Sequence, residues 1–202
     1  MPAAVRCEDP NGSVWRGRCG RIELGGASAG SIRWQLRGFE LLRGRGVLDL
    51  DWAPGRGRAH GTLSASLFGT KHISLTDVTL DTDIAELRSV APRLPWPVGV
   101  DAGVHITLER LVLDGNGPST LIGRGRIENL RGLPQIDGSA SFVLDAQAPG
   151  TPPVVAVSTL AGEPIDVRGT LAFKVPRSYE LELSLRARGA TTAVPYNVAG
   201  TY

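Results

Sequence analysis

The sequence predicts an all-β protein: a large, strongly twisted antiparallel meander sheet with one short α-helix near residues 82–91. Three observations carry that prediction. Apolar and polar residues alternate with period two through most of the 202 residues. The chain's 26 Gly and 14 Pro break the alternation into short runs separated by turns. The spacing from strand to strand is short almost throughout, which joins antiparallel neighbours and leaves no room for parallel crossovers. This length suits a single domain over 1–202. With 42% hydrophobic but only 5% aromatic residues, the core has to be built from Val, Leu, Ile and Ala. Collagen is excluded because no Gly-x-y period exists, and disorder because the alternation is sustained.

Taken in order, Ser13-Val14-Trp15 runs into Arg18 to Leu24 as the first strand. Gly25 to Gly30 is a small-residue turn, after which Ile32, Trp34 and Leu36 alternate with Arg33, Gln35 and Arg37. Val47 to Trp52 is a strand closed by Pro54-Gly55, and Arg58 to Phe68 presents Ala59, Gly61, Leu63, Ala65 and Leu67 on one face. Ile73, Leu75, Val78 and Leu80 follow, and the broken parity between Leu75 and Val78 marks a bulge. Asp81-Thr82-Asp83 can cap a helix whose Ile84, Leu87 and Val90 recur at helical spacing, with Glu86 three residues after Asp83. Pro92 stops it, and Leu94-Pro95-Trp96-Pro97 makes a stiff linker that serves as hinge or cap. Ala102 to Leu113 turns Val104, Ile106, Leu108 and Leu111 inward, and Asp114-Gly115-Asn116-Gly117 is a hairpin turn. Leu121 to Leu130, Gly138 to Ala146, Val154 to Leu160, Ile165 to Val175, Tyr179 to Ala187 and Tyr196 to Tyr202 complete the series.

The formal charge is only +2, yet Arg16, Arg18, Arg21, Arg33, Arg37, Arg43, Arg45, Arg56 and Arg58 crowd the first third. They could face an anionic surface, either lipid head groups or nucleic acid. The solvated face of a sheet with protected edges explains them more simply. No aromatic stacking platform accompanies them, so a nucleic-acid partner is not expected. No run reaches the roughly 18 apolar residues of a membrane helix, and the opening residues do not read as a signal peptide.

Residues for catalysis are not arranged for it. No Gly-x-Ser-x-Gly elbow is present, and Gly123-Arg124-Gly125-Arg126 and Gly55-Arg56-Gly57-Arg58 precede strands, where a phosphate loop would precede a helix. Asp49 and Asp51 fall on one face of one strand, whereas a glycosidase needs acids on facing elements. Asp81-Thr82-Asp83 lacks the oxygen density of a calcium loop. His60, His72 and His105 are not spaced for zinc. The expectation is a protein without enzymatic activity, metal or cofactor. Cys7 and Cys19 flank the first Trp-bearing segment; a disulfide there would imply an oxidising compartment, and two free thiols are the alternative. Trp15, Trp34 and Trp52 on successive strands are either core anchors, the expected role, or the wall of a groove for lipid, glycan or peptide. Trp96 between prolines reads as a plug.

Asn11-Gly12-Ser13-Val14-Trp15-Arg16-Gly17 resembles the opening of the type II secretion system protein N family. The likeness continues through Ile32-Arg33-Trp34-Gln35-Leu36, then Leu41-Leu42-Arg43-Gly44, and ends on Val198-Ala199-Gly200-Thr201-Tyr202. It marks Trp15, Gly17, Trp34, Leu36, Leu41, Leu42 and Gly44 as motif residues of the core. The family is similar to AsmA-like proteins, so the resemblance implies a half-barrel or grooved sheet. It implies a non-enzymatic accessory role in type II secretion, exerted in the periplasm. The expected partners are the inner-membrane platform or the outer-membrane channel. Family members begin with one inner-membrane helix, so the chain reads as the periplasmic portion of a single-pass protein of a Gram-negative bacterium. The Cys7/Cys19 pair is not a general family feature. The alternative implied is a lipid-binding or lipid-transfer groove serving the envelope, with an acyl chain on a concave apolar face. Exposed edge strands also offer pairing with a second copy.

Overall fold

The computed structural model describes residues 5–24, 26–68, 72–90, 99–115, 117–132, 140–146, 152–160, 163, 165–174, 178–187 and 191–201. Trp96 with its flanking prolines, Asn116 and Tyr202 lie outside them. The strands are β1 (Val5–Gly12), β2 (Arg16–Leu24), β3 (Ala27–Ser28), β4 (Ser31–Leu36), β5 (Arg45–Ala53), β6 (Arg58–Ser66), β7 (Ile73–Asp83), β8 (Asp101–Asp114), β9 (Gly117–Arg131), β10 (Ala140–Ala146), β11 (Val154–Thr159), β12 (Ile165–Lys174), β13 (Ser178–Ala187) and β14 (Val194–Thr201). Two helices interrupt them, α1 (Gly38–Leu41) and α2 (Ile84–Val90). All strands form one antiparallel sheet in chain order, with β3 paired to β2 beside the main path. The sheet is not closed into a barrel: β1 and β14 are its two ends.

Register converts the sequence alternation into two chemically distinct faces. Opposed residues in an antiparallel ladder share a face. Arg18, Arg33, Asp51, His60, Thr79, Thr107 and Arg124 are successive partners from β2 to β9 and form one polar rung. One residue along, Cys19, Ile32, Trp52, Ala59, Leu80, Ile106, Gly125, Leu144 and Val157 form an apolar rung on the other face. Further up, Leu36, Leu48, Leu63, Leu75, Leu111 and Leu121 make a rung of leucine alone. These leucines are half-buried.

The buried core sits on the apolar face toward the second half of the chain. Ile84 of α2 packs with Val100, Ala102, Val104 and Leu130, and a second cluster joins Val157, Ile165 and Val167. Phe142 of β10 packs against both clusters.

Two bulges keep the apolar residues on one face. His60 pairs with Thr79 but Thr62 pairs with Thr76, so Asp77 is the extra residue of β7, with φ 53. This is the parity break expected between Leu75 and Val78. A second shift, at Glu109 between Leu108 and Arg110, returns Leu111 to the apolar face.

Four expectations need correction. A strand, β1, precedes the first expected one; every residue of it is exposed, so it carries no apolar alternation to be read. Trp15 lies in the β1–β2 turn and is 55% exposed, so it does not anchor the core. Leu42 follows α1 and is 84% exposed, so it is no core residue either. A second helix exists, because α1 is a single turn of four residues, too short to show a 3.6-residue period. The expected helix starts at Ile84: Thr82 and Asp83 still pair with Val104 and Gly103 as part of β7.

Candidate functional site

The motif residues assemble around the β1–β2 turn. Gly17 and Trp34 are register partners, and the Trp34 indole occupies the space a Cβ on Gly17 would need. The Leu36 amide donates to the Trp15 carbonyl at 2.8 Å, which ties the turn to β4. Leu41 ends α1, and Gly44, with φ +72, lets the chain turn back into β5. The Gly44 amide donates to the Leu41 carbonyl at 3.0 Å. Trp34, Leu36 and Leu41 are half-buried. The pattern is a structural joint without chemistry of its own. Nearby, the structure joins Cys7 of β1 to Cys19 of β2 by a disulfide, Cα atoms 5.7 Å apart. The bond therefore links neighbouring strands of one hairpin.

Two adjoining cavities, of about 810 and 780 Å³, lie on the polar face. They share Arg33, Asp51 and His60. Arg16, Arg18, Arg37, Asp49, Thr62 and Asp77 continue one of them, and Arg58, Thr79, Asp81 and His105 the other. The groove the sequence suggested was apolar; these cavities, which together draw on β1, β2 and β4 to β8, are lined by residues of the charged rungs together with Trp52, Ala53, Ala59, Leu80 and Ile106 in one and Gly17 and Trp34 in the other. Three of their acidic side chains have partners within the site. His60 Nδ1 lies 2.8 Å from Asp51 Oδ1, and His105 Nδ1 lies 3.2 Å from Asp81 Oδ2. Arg37 donates twice to Asp49, Nε to Oδ2 at 2.8 Å and Nη2 to Oδ1 at 2.7 Å. That pairing holds the Asp49 carboxyl below the ordinary carboxylate range; burial opposes it and the Thr62 hydroxyl, donating at 2.8 Å, reinforces it. Among the described residues no three of His, Cys, Asp and Glu converge to hold a metal ion. The groove presents polar and charged groups to a ligand.

The two sheet ends differ in chemistry. β1 carries Arg6 and Glu8, a proline at Pro10, and Asp9 in a left-handed conformation with φ 53. Charges, proline and a kink are what blunt an edge against pairing. β14 has none of these after Pro195. Its run Tyr196-Asn197-Val198-Ala199-Gly200-Thr201 is uncharged, pairs with β13, and has no partner on its outer side among the described residues. Sequence reasoning anticipated edge strands in general. It could not say which, because that depends on which strands end the sheet.

No helix among the described residues is long and apolar enough to cross a membrane. The family model for the type II secretion system protein N matches residues 3–194. No curated protein and no solved structure matches the chain.

Proposed function

Since the chain belongs to the type II secretion system protein N family, we propose that it serves that machinery from the periplasm, at the inner membrane, by contacts with other secretion components and without catalysis. An accessory role in type II secretion follows from the family itself. The mode of action rests on one observation, the open β14 edge. A strand with free donors and acceptors and no charge to repel a visitor accepts a further strand from a partner chain. Main-chain hydrogen bonds give such a contact its affinity, and the alternating side chains, here Tyr196 and Val198 on one face and Asn197 and Ala199 on the other, give it selectivity. The rival reading, an acyl-chain groove, calls for a cavity lined by Val, Leu and Ala. The two cavities mix charged residues with a few apolar ones, Ala53, Ala59, Leu80 and Ile106, so lipid enters as an outcome of the test.

The test is in-cell photocrosslinking with the probe at Asn197 or Ala199 on the edge, and at Ile106 on the apolar face. Adducts of secretion-system proteins from the edge positions, abolished by Val198→Pro, are the expected result. Adducts of lipid mass from Ile106 with a silent edge would replace this reading with the lipid-handling one. An adduct of two copies of the chain would make β14 a self-association edge instead.

A further inference from the structure

The most exposed apolar side chains are not scattered. Phe39 is 85% exposed, Leu42 84%, Phe68 78% and Val14 76%, and Trp15 and Leu67 are more than half exposed. They come from three separate connections: the β1–β2 turn, the α1 segment between β4 and β5, and the turn after β6. In an antiparallel meander alternate connections fall at the same end of the sheet, so these three are neighbours. Contacts bear this out. A Cβ on Gly38 would lie 3.4 Å from the Trp15 ring, and one on Gly44 would lie 2.9 Å from the Phe68 ring. The Leu67 amide donates to the Gly44 carbonyl at 2.9 Å.

The same end is basic. Arg16, Arg37, Arg43 and Arg45 lie in or beside these connections, against two carboxylates, Glu40 and the Asp49 that Arg37 holds. Glu40 is sequestered, its side chain only 22% exposed beneath Arg43 and Arg45, whose own side chains are 73% and 59% exposed. The net result is an exposed cluster of aromatic and aliphatic side chains with four arginines and two carboxylates beside it, a net positive tip at this end of the sheet. A protein partner would have to supply a pocket shaped to three convex turns. A bilayer surface needs no such shape: its acyl boundary takes the apolar side chains and its phosphates take the guanidinium groups.

We propose that this tip is a membrane-contact site that inserts Phe39, Leu42, Phe68 and Trp15 into the interface of an anionic bilayer. It is distinct from the β14 edge and does not depend on it. It gives the domain a second contact with its surroundings, at the end of the sheet where β1 turns into β2.

The test is flotation of the purified chain with vesicles of phosphatidylglycerol and phosphatidylcholine, compared with phosphatidylcholine alone. The chain should float with the anionic vesicles. Arg43→Ala with Arg45→Ala should weaken binding by roughly tenfold or more, and Phe39→Glu with Leu42→Glu should abolish it. Val5→Glu, an exposed apolar residue at the opposite end, should leave it intact. Brominated acyl chains should quench Trp fluorescence in the wild type and lose most of that quenching in Trp15→Phe. Circular dichroism and thermal unfolding of each variant separate lost contact from lost fold, and all the tip positions are surface ones. Absence of flotation with anionic vesicles overturns the proposal. Undiminished flotation of the Phe39→Glu, Leu42→Glu chain does the same. Loss of a secretion-protein adduct in that variant, with vesicle binding absent throughout, would make the tip a protein-docking surface.

Discussion

At the scale of single residues, the Gly17–Trp34 pair explains why a glycine stands where a strand would favour a larger residue. Gly17 is a sheet residue facing an indole that needs its space. Gly17→Ala should destabilise the fold by about 1–3 kcal/mol, the usual cost of forcing a methyl into an occupied site. The proof that the clash is with Trp34 is non-additivity: in a Trp34→Leu background the same Gly17→Ala change should cost much less. Equal costs in both backgrounds in urea denaturation would assign the effect to the backbone. Asp49 makes a second residue-scale prediction. Its folded-state pKa lies below the unfolded one, because Arg37 hydrogen-bonds the charged form. The stability it adds is therefore present in full above the unfolded carboxylate value of about 3.9 and lost as pH falls through the lower folded value. Asp49→Asn should lower stability at pH 7 and converge on the wild type in strong acid. A gap that stays constant across that range would refute the linkage.

At the scale of elements, what the sequence discloses follows how local each signal is. Alternation within one strand is local, so β4 to β9 could be read directly, and even the Asp77 bulge showed as a parity break between Leu75 and Val78. Ile84, Leu87 and Val90 disclosed α2 for the same reason. β1 and α1 were not legible. The first has no apolar face, since Val5 to Gly12 are all exposed at a sheet end. The second is one turn long. Trp15 was misplaced because Val14-Trp15 continues into a true strand, and only the 2.8 Å bond from the Leu36 amide to its carbonyl shows it closing a turn. The candidate sites were the least legible. The polar groove collects residues from seven strands, and the apolar tip collects three connections. Both depend on register and strand order, which no single segment encodes.

At the scale of the whole molecule, the sheet is a one-dimensional object. Its substantial contacts run between neighbouring strands, as in repeat proteins, so stability need not be shared evenly along it. Both buried clusters lie from α2 onward, linked through Phe142. From β1 to β6 the described residues contain no such cluster. That half is held by the half-buried leucine rung, by Trp34 over Gly17, by the Trp52 indole donating to the Ala29 carbonyl at 2.6 Å, and by the Cys7–Cys19 bond. Opening should therefore begin there. Native-state hydrogen exchange should find β1 to β6 exchanging through partial openings while the amides of β8, β9 and β12 wait for global unfolding. Reduction of the disulfide should speed exchange in β1 and β2 and leave β12 unchanged, because a cross-link acts on the loop it closes. Uniform protection along the sheet, or a loss of protection in β12 on reduction, would show the domain unfolding as one unit. The predicted gradient bears on the two proposed contacts: the apolar tip lies in the half without a buried cluster and the β14 edge at the end of the half that has both, so the two contacts would load differently ordered parts of one sheet.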